Sequence, residues 1–164
     1  MIQQIATDPS QSQRLLACGV DPSTADMCYL YWDESGAQLS REEYLEIFNE
    51  SFLDGRIELV PKDFGDYDHS YSDDSPAWSL GRLLTMLPPT ITINEDEYSE
   101  PTDYDLFINP SMTGKMWDVS YSYNEIGEYS DILYETAQPC IIESVVRMIE
   151  TLSFHKHKLN EIKQ

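Results

Sequence analysis

The chain has 164 residues, of which 30 are acidic and 10 are lysine or arginine, and its formal net charge is −20. A hydrophobic content of 41% is too high for an intrinsically disordered chain, and the length suits a single domain over residues 1–164 with a buried core. So acidic a surface repels phosphate, which disfavours direct binding to nucleic acid or to an anionic membrane and suits a basic protein partner.

The first half of the chain predicts short elements that turns separate. Capping residues, glycine stops and the spacing of apolar residues define them. In order, they are a helix that Asp8-Pro9 opens and Gly19 stops, an apolar core segment at 24–32 that is helical or extended, a helix from Ser40 to Gly55, and a strand at 56–61.

An acidic loop and an apolar helix are predicted next. The loop, about residues 62–75, shows neither helical nor strand periodicity. The helix, "SPAWSLGRLLTMLPP" from Ser75, has Pro76 in its first turn and Trp78 at the edge of the core. Its leucines have helical spacing, so Leu84→Asp is expected to unfold the domain; the stripe is Leu80, Leu83, Leu84 and Leu87.

The second half of the chain predicts an antiparallel sheet followed by a helix. Alternating apolar and polar residues indicate strands with one buried face. We therefore expect an α+β fold, with a small antiparallel sheet of three to five strands and helices packed on one face. The predicted elements are strands at 90–94, from Tyr104, at 117–123 and at 132–134, a helix with Pro139 in its first turn and a stripe of Ile141, Val145, Met148, Ile149 and Leu152, and an exposed basic tail at about 155–164 with His155 and His157.

One segment of the acidic loop begins like a calcium-binding loop. Asp66, Asp68 and Ser70 occupy the first, third and fifth positions, but Tyr71 replaces the glycine and Ala77 replaces the bidentate glutamate. A solvated acidic loop is the preferred interpretation. A weak cation-dependent enzyme is an alternative, and its candidate residues are Asp66, Asp68, His69, Asp73 and Asp74.

No catalytic motif accompanies these residues. The chain contains no nucleophile elbow, phosphate-binding loop, dinucleotide fingerprint or zinc-protease motif. We therefore expect a protein that is not an enzyme, with no cofactor and no catalytic or metal-binding residue.

Tyrosines interleaved with acids suggest a binding surface instead. Tyr67, Tyr71, Tyr98 and Tyr104 lie in two segments expected to be exposed loops, where they suit contact with a basic protein. An equally supported alternative is that some of these rings fold back on the core. A further alternative is an acidic mimic of DNA that inhibits a nucleic-acid-binding protein. Mimicry needs carboxylates on rigid elements, whereas the densest acids here fall in predicted loops.

The compartment follows from cysteine usage and from the start of the chain. Cys18, Cys28 and Cys140 are odd in number and form no paired motif, and the first residues lack a basic leader with an apolar stretch. With no apolar run long enough for a bilayer, these features predict a cytoplasmic protein with no membrane association.

Four segments in order carry a resemblance to a known group. They are "GVDPSTADM", "SPAWSLGRLLTMLP", a strand centred on Trp117, and "AQPCIIESVVRMIETL". Together they resemble small uncharacterised proteins of Bacteroidetes genomes, prophages and mobile elements. The resemblance implies a bacterial cytoplasmic setting and a helix–sheet–helix order, and it assigns no site residue, cofactor or partner.

Overall fold

The computed structural model describes part of the chain, and two sequence predictions fall outside that part. The helix predicted from Ser40 to Gly55 is one of them, and the acidic loop beyond Lys62 is the other. In the described part, no helix is long and apolar enough to cross a membrane. The described residues are 4–31, 57–62, 76–124 and 130–162.

The chain divides into two compact units. We call Ile5–Arg82 the N-terminal unit, and Met1–Gln4 with Leu83–Gln164 the C-terminal unit. The single domain expected over 1–164 stays a prediction, because compactness does not say whether a unit unfolds independently. The N-terminal unit contains α1 (Pro9–Ala17), a 3₁₀ turn (Pro22–Thr24), β1 (Met27–Tyr31), β2 (Ile57–Pro61) and β3 (Pro76–Ala77), and α2 (Leu80–Met86) begins at its end.

Helix α1 begins and ends where the sequence predicts. The Asp8 carboxylate accepts a hydrogen bond from the Gln11 N–H at 2.8 Å, and the Gln11 side chain accepts one from the Asp8 N–H at 3.0 Å. This capping box satisfies N–H groups that a helix start leaves without partners. Gly19, which has a φ of +84°, follows the helix as its predicted stop.

The segment at 24–32, for which the sequence leaves two conformations open, is extended where it forms β1. This strand pairs antiparallel with β2 on one side and with β3 on the other, giving the order β2-β1-β3. The strand predicted at 56–61 is confirmed as β2. Strand β3 is unexpected, since it occupies the predicted first turn of the apolar helix.

Helix α2 begins at Leu80, so its predicted start at Ser75-Pro76 is wrong. Ser79 is the capping residue, because its Oγ accepts from the Arg82 N–H at 3.2 Å. The N–H and the hydroxyl of Ser79 donate to the two oxygens of Asp26 at 2.9 and 2.5 Å. This distant carboxylate fixes the helix start and leaves the residues before it free to pair as β3.

The sequence predicts Trp78 at the edge of the core, but the structure places it inside the core of the N-terminal unit. Its side chain is 0% exposed, and its Nε1–H donates to Thr24 Oγ1 at 3.0 Å. Its backbone N–H donates to Thr7 Oγ1 at 3.0 Å, while the Thr7 N–H donates to the Trp78 carbonyl at 2.9 Å. Two of the segments that carry the family resemblance therefore meet at this tryptophan.

The C-terminal unit contains a four-stranded antiparallel sheet with a helix packed on it, which confirms the predicted α+β class. All four strands predicted from alternating residues are present, and the second, three-stranded sheet of the N-terminal unit is an addition to the prediction. The sheet has the order β4-β5-β6-β7, and the elements are β4 (Thr90–Ile93), β5 (Thr102–Pro110), β6 (Trp117–Asn124), β7 (Ser130–Gln138) and α3 (Ile141–Phe154).

Helix α3 packs on β6 and β7 through a stripe that the sequence predicts in part. The helix begins after its N-cap residue Cys140, so Pro139 precedes it instead of lying in its first turn. Ile141 is half-buried, whereas Ile142 and Val146, which the predicted stripe omits, are fully buried. The fully buried hydrophobic residues of α3 are Ile142, Val145, Val146, Met148, Ile149 and Leu152.

Lys156 ends α3 in a left-handed conformation, with a φ of 61°. The N–H of Lys156 donates to the Ser153 carbonyl at 3.0 Å, and the N–H of His157 donates to the Leu152 carbonyl at 2.9 Å. These two bonds form a Schellman motif, whose left-handed position glycine usually occupies.

The segment after α3 is tied to the unit and is not a free tail. Asn160 donates its backbone N–H to the Met86 carbonyl at 2.9 Å and its side-chain amide to the carbonyls of Leu87 and Thr85 at 3.0 and 3.2 Å. The exposed-tail interpretation holds for the side chain of His155 and is wrong for His157, which is half-buried.

Lys156→Gly is expected to stabilise the protein. Glycine adopts the left-handed conformation without the steric cost of a Cβ, and the gain, after the entropy that glycine loses on folding, is about 0.5–1 kcal/mol in the free energy of unfolding. Urea denaturation measures it. Lys158→Gly is the control, since Lys158 has no positive φ, and an equal gain there would contradict the argument.

Leu83→Ala is expected to destabilise the protein more than Leu84→Ala. Leu83 is fully buried, while Leu84 is half-exposed. Removing a fully buried leucine costs about 2–5 kcal/mol. Chemical denaturation of both variants tests the ranking, and a larger loss at Leu84 would mean that the helix faces the core with a different stripe.

Candidate functional site on the open face of the sheet

The residues predicted to support cation chemistry lie outside the part of the chain that the structure describes. The cation-dependent enzyme stays an untested alternative for that reason. Among the described residues, no group of three or more histidine, cysteine or acidic side chains is placed to hold a metal ion. The candidates outside this part are Asp66, Asp68, His69, Asp73 and Asp74.

Two of the four tyrosines predicted to form a contact surface are described. Tyr98 is 96% exposed, as expected. Tyr104 lies in β5 and is 6% exposed, and its hydroxyl donates to Asp131 Oδ2 at 2.9 Å. This bond to a carboxylate raises the pKa of Tyr104. The exposed-loop prediction is therefore wrong for Tyr104, whose ring folds on to the core as in the alternative; Tyr67 and Tyr71 lie outside the described residues.

The pairing of the strands shows which side chains face α3. Thr136 pairs with Val119, and its hydroxyl donates to the Ser144 carbonyl of α3 at 2.8 Å. Val119 and Tyr121 are two residues apart and both 0% exposed, so they share this covered face. The adjacent residues of each strand therefore point to the opposite face, which no described helix covers.

We call this opposite face the outer face. It is defined here by its six acidic or large apolar side chains, which come from three strands, and all but Asp118 are exposed. Cross-strand pairing places them together: Phe107 lies opposite Ser120, and Ser120 opposite Glu135. In the same way, Ser122 links β5 to β7. The six side chains that define the outer face are Asp103, Asp105, Phe107, Asp118, Ile132 and Glu135.

Hydrogen bonds from β4 hold two of these carboxylates in place. Thr90 Oγ1 donates to Asp105 Oδ1 at 2.8 Å, and Thr92 Oγ1 donates to Asp103 Oδ1 at 2.6 Å. Each bond joins directly opposite residues of β4 and β5. The two carboxylates are therefore ordered on a strand, about 7 Å apart given the rise per residue.

No cationic side chain forms a salt bridge with the outer face in the described ranges. The salt bridges found there lie in α3 and in the segment that follows it. They join Arg147 to Glu143 and Lys158 to Glu161. Among the described residues, no salt bridge therefore compensates the negative charge of the outer face.

Apolar side chains lie between the carboxylates. Phe107 is 36% exposed and Ile132 is 49% exposed. Ser120, which is half-buried, and Ser122, which is buried, occupy β6 between β5 and β7. An acidic surface with exposed apolar side chains has the chemistry of a protein contact surface for a basic partner.

A second cluster surrounds Tyr134 at the end of α3. Its hydroxyl lies 2.7 Å from His157 Nε2, and its ring stacks on His155 at a centroid distance of 4.8 Å. Burial lowers the pKa of His157, and the nearby His155 lowers it further. Burial also raises the pKa of Tyr134. In the tautomer of neutral His157 that carries its proton on Nδ1, Nε2 accepts a hydrogen bond from the Tyr134 hydroxyl.

An open groove of about 450 Å³ lies next to this cluster, with Arg147, Glu150 and His155 in its wall. Its two threonine hydroxyls are occupied by main-chain carbonyls: Thr136 donates to Ser144 at 2.8 Å, and Thr151 donates to Arg147 at 2.9 Å. These hydroxyls serve the helix and its attachment to the sheet, so neither threonine is placed as an activated nucleophile.

The sequence predicts a sheet with one buried face, but the open face was not singled out as a contact surface, although a signal for it was present. The acids and Phe107 alternate with buried residues in β5, in phase from Asp103 through Asp105. Assigning Tyr104 to the covered side of this alternation is enough to place these side chains on the open side.

The stability of the protein is expected to fall as the pH drops below about 6.5, in part because of His157. Its folded pKa lies below the unfolded value, so the unfolded chain binds a proton that the folded chain releases, and this contribution is lost as pH falls through the folded pKa. The measurement is the slope of unfolding free energy against pH in the wild type and in His157→Gln. The slope should be shallower in the variant, whereas carboxylate titration is common to both. Equal slopes would contradict the assignment.

Comparisons with known proteins do not assign this chain to a family. No protein-family model, curated protein or solved structure matches the chain. The function is therefore inferred from the side chains and their geometry.

Proposed function

We propose that this protein is a non-catalytic binding module whose outer face contacts a basic protein. The observation that carries the proposal is the combination of ordered carboxylates at Asp103 and Asp105 with exposed Phe107 and Ile132 on one open sheet face. Opposite charge steers and orients a partner, while apolar side chains supply contact area that salt does not screen. A cytoplasmic setting belongs to the proposal on the basis of cysteine usage and the sequence resemblance, and an origin in a bacterium, phage or mobile element on the basis of the resemblance alone.

One observation favours the DNA-mimic alternative, and another argues against it. Asp103 and Asp105 lie on a strand, which removes the objection that they are in a flexible loop. Duplex DNA, however, carries a charge about every 1.7 Å along its axis. Four carboxylates spread over three strands form a much sparser array, so general contact with a basic surface is the better supported function.

The charge of the outer face can be removed without altering its shape. Asp103→Asn with Asp105→Asn keeps the oxygen atoms that accept from Thr92 and Thr90 while removing two charges. With a short lysine homopolymer as the probe, we expect the double variant to bind about tenfold more weakly at low salt. Titration calorimetry over a salt series measures the affinity and its salt slope, and both should fall.

A variant of equal charge provides the matched control. Glu97 and Glu100 are exposed and lie between β4 and β5, so Glu97→Gln with Glu100→Gln removes two charges away from the sheet. If this control weakens binding as much as the outer-face variant does, net charge alone explains the interaction, and the outer face is not the contact surface.

A further inference from the structure

The two edges of the four-stranded sheet differ in how they are protected. Strand β4 has four residues and follows Pro88-Pro89, whereas β7 has nine residues and contains neither proline nor lysine. Short edges, prolines, lysines and bulges are the usual protection against pairing with another chain. The register shift of β7 lies between Ile132 and Tyr134, so the regular part from Tyr134 to Gln138 is the edge open to an additional strand.

The hairpin between β5 and β6 shows where each backbone group points. The Ser111 N–H donates to the Met116 carbonyl at 2.8 Å, so these residues form a bonded pair, and such pairs alternate along an antiparallel ladder. Asp118 and every second residue after it thus bond to β5. The same alternation directs the Leu106 N–H to β4, where it donates to the Pro89 carbonyl at 2.9 Å.

The remaining residues of β6 bond to β7. Val119 pairs with Thr136, which directs the backbone groups of Thr136 inward. The N–H and C=O groups of its neighbours Glu135 and Ala137 consequently point to the free edge. In the described residues, no hydrogen bond reaches these four groups.

Charge decides what can occupy this edge. A second copy would bring another net charge of −20 and a second exposed Glu135 to the seam. Like charges directly opposite destabilise a strand pair, whereas opposite charges stabilise it. A basic extended segment satisfies the free backbone groups without this repulsion.

We propose that β7 receives an extended basic segment of a partner protein as a fifth strand. This inference rests on the proposed function and gives it a binding mode. The added strand places alternate side chains beside Glu135 and Ala137, in the part of β7 that follows its register shift, with opposite Cβ atoms about 5 Å apart. The recognised segment therefore carries lysine or arginine opposite Glu135 and an apolar residue opposite Ala137, two positions away.

A synthetic peptide tests this mode on the intact chain. The peptide has lysine flanked by valines at alternate positions and threonines between them, and its control carries N-methyl groups on the amides that would face β7. We expect the N-methylated peptide to bind about tenfold more weakly, since its side chains are kept and its edge hydrogen bonds are lost. Amide hydrogen exchange at Glu135 and Ala137 should slow when the unmodified peptide binds.

Proline variants test the same edge from the side of the protein. Ala137→Pro removes an N–H that points to the free edge and should weaken peptide binding. Met112→Pro is the control, in the exposed turn between β5 and β6 that the hydrogen bond from the Gly114 N–H to the Ser111 carbonyl closes, and it should leave binding unchanged. The N-methylated peptide requires no variant, so the result stands even if either variant fails to fold.

Several outcomes overturn the proposal. They are the absence of peptide binding, equal affinity of the two peptides, unprotected amides at Glu135 and Ala137 in the complex, or a dimer formed through β7 in sedimentation. If the N-methyl effect holds while Asp103→Asn with Asp105→Asn leaves lysine-homopolymer binding unchanged, the edge is confirmed and the acidic face is not. The converse result confirms the face and refutes the edge.

Discussion

Packing of α3 on one face of the sheet is the constraint from which most features of the C-terminal unit follow. Ser144 is 0% exposed and fixes the helix to two strands, because its hydroxyl donates to the Trp117 carbonyl at 2.6 Å while its own carbonyl accepts from Thr136. Once one face is fixed beneath the helix, alternation sends the adjacent residues to the other face. Carboxylates such as Asp103 and Asp105 lie on this other face, because burying an ionised group beneath the helix costs free energy that exposure to water avoids.

The carboxylates of the outer face repel one another only weakly. At a separation of about 7 Å in water, two unit charges interact by about 0.6 kcal/mol before salt screening. Hydrogen bonds from Thr90 and Thr92 order Asp105 and Asp103 at the same time. The sheet therefore tolerates its acidic face, and the remaining repulsion is relieved when a cationic side chain docks on it.

The sequence correctly predicts elements whose signals lie within a few residues. The prediction fails where a residue distant in the chain determines where an element begins. The cap at Asp8 and the strands of the four-stranded sheet are confirmed, since capping residues and alternation act within a few residues. The start of α2 is wrong because Asp26, 53 positions away, selects Ser79 as its cap. The end of α3 gives no glycine signal, because Lys156 takes the left-handed position. The sequence places Tyr104 in an exposed loop as well as at the start of a strand, and its burial in β5 decides that Asp103 and Asp105 face outward.

Long-range charge alone does not distinguish one basic partner from another, because a net charge of −20 attracts any cation. Selection must come from short-range features, and the described residues provide two. Phe107 and Ile132 favour a partner with apolar side chains. The backbone N–H and C=O groups of Glu135 and Ala137 favour a partner whose backbone is extended. A flexible polycation satisfies neither, so its affinity should collapse with salt. A segment with apolar residues beside its basic residue keeps part of its affinity, because backbone hydrogen bonds and apolar contacts are not screened.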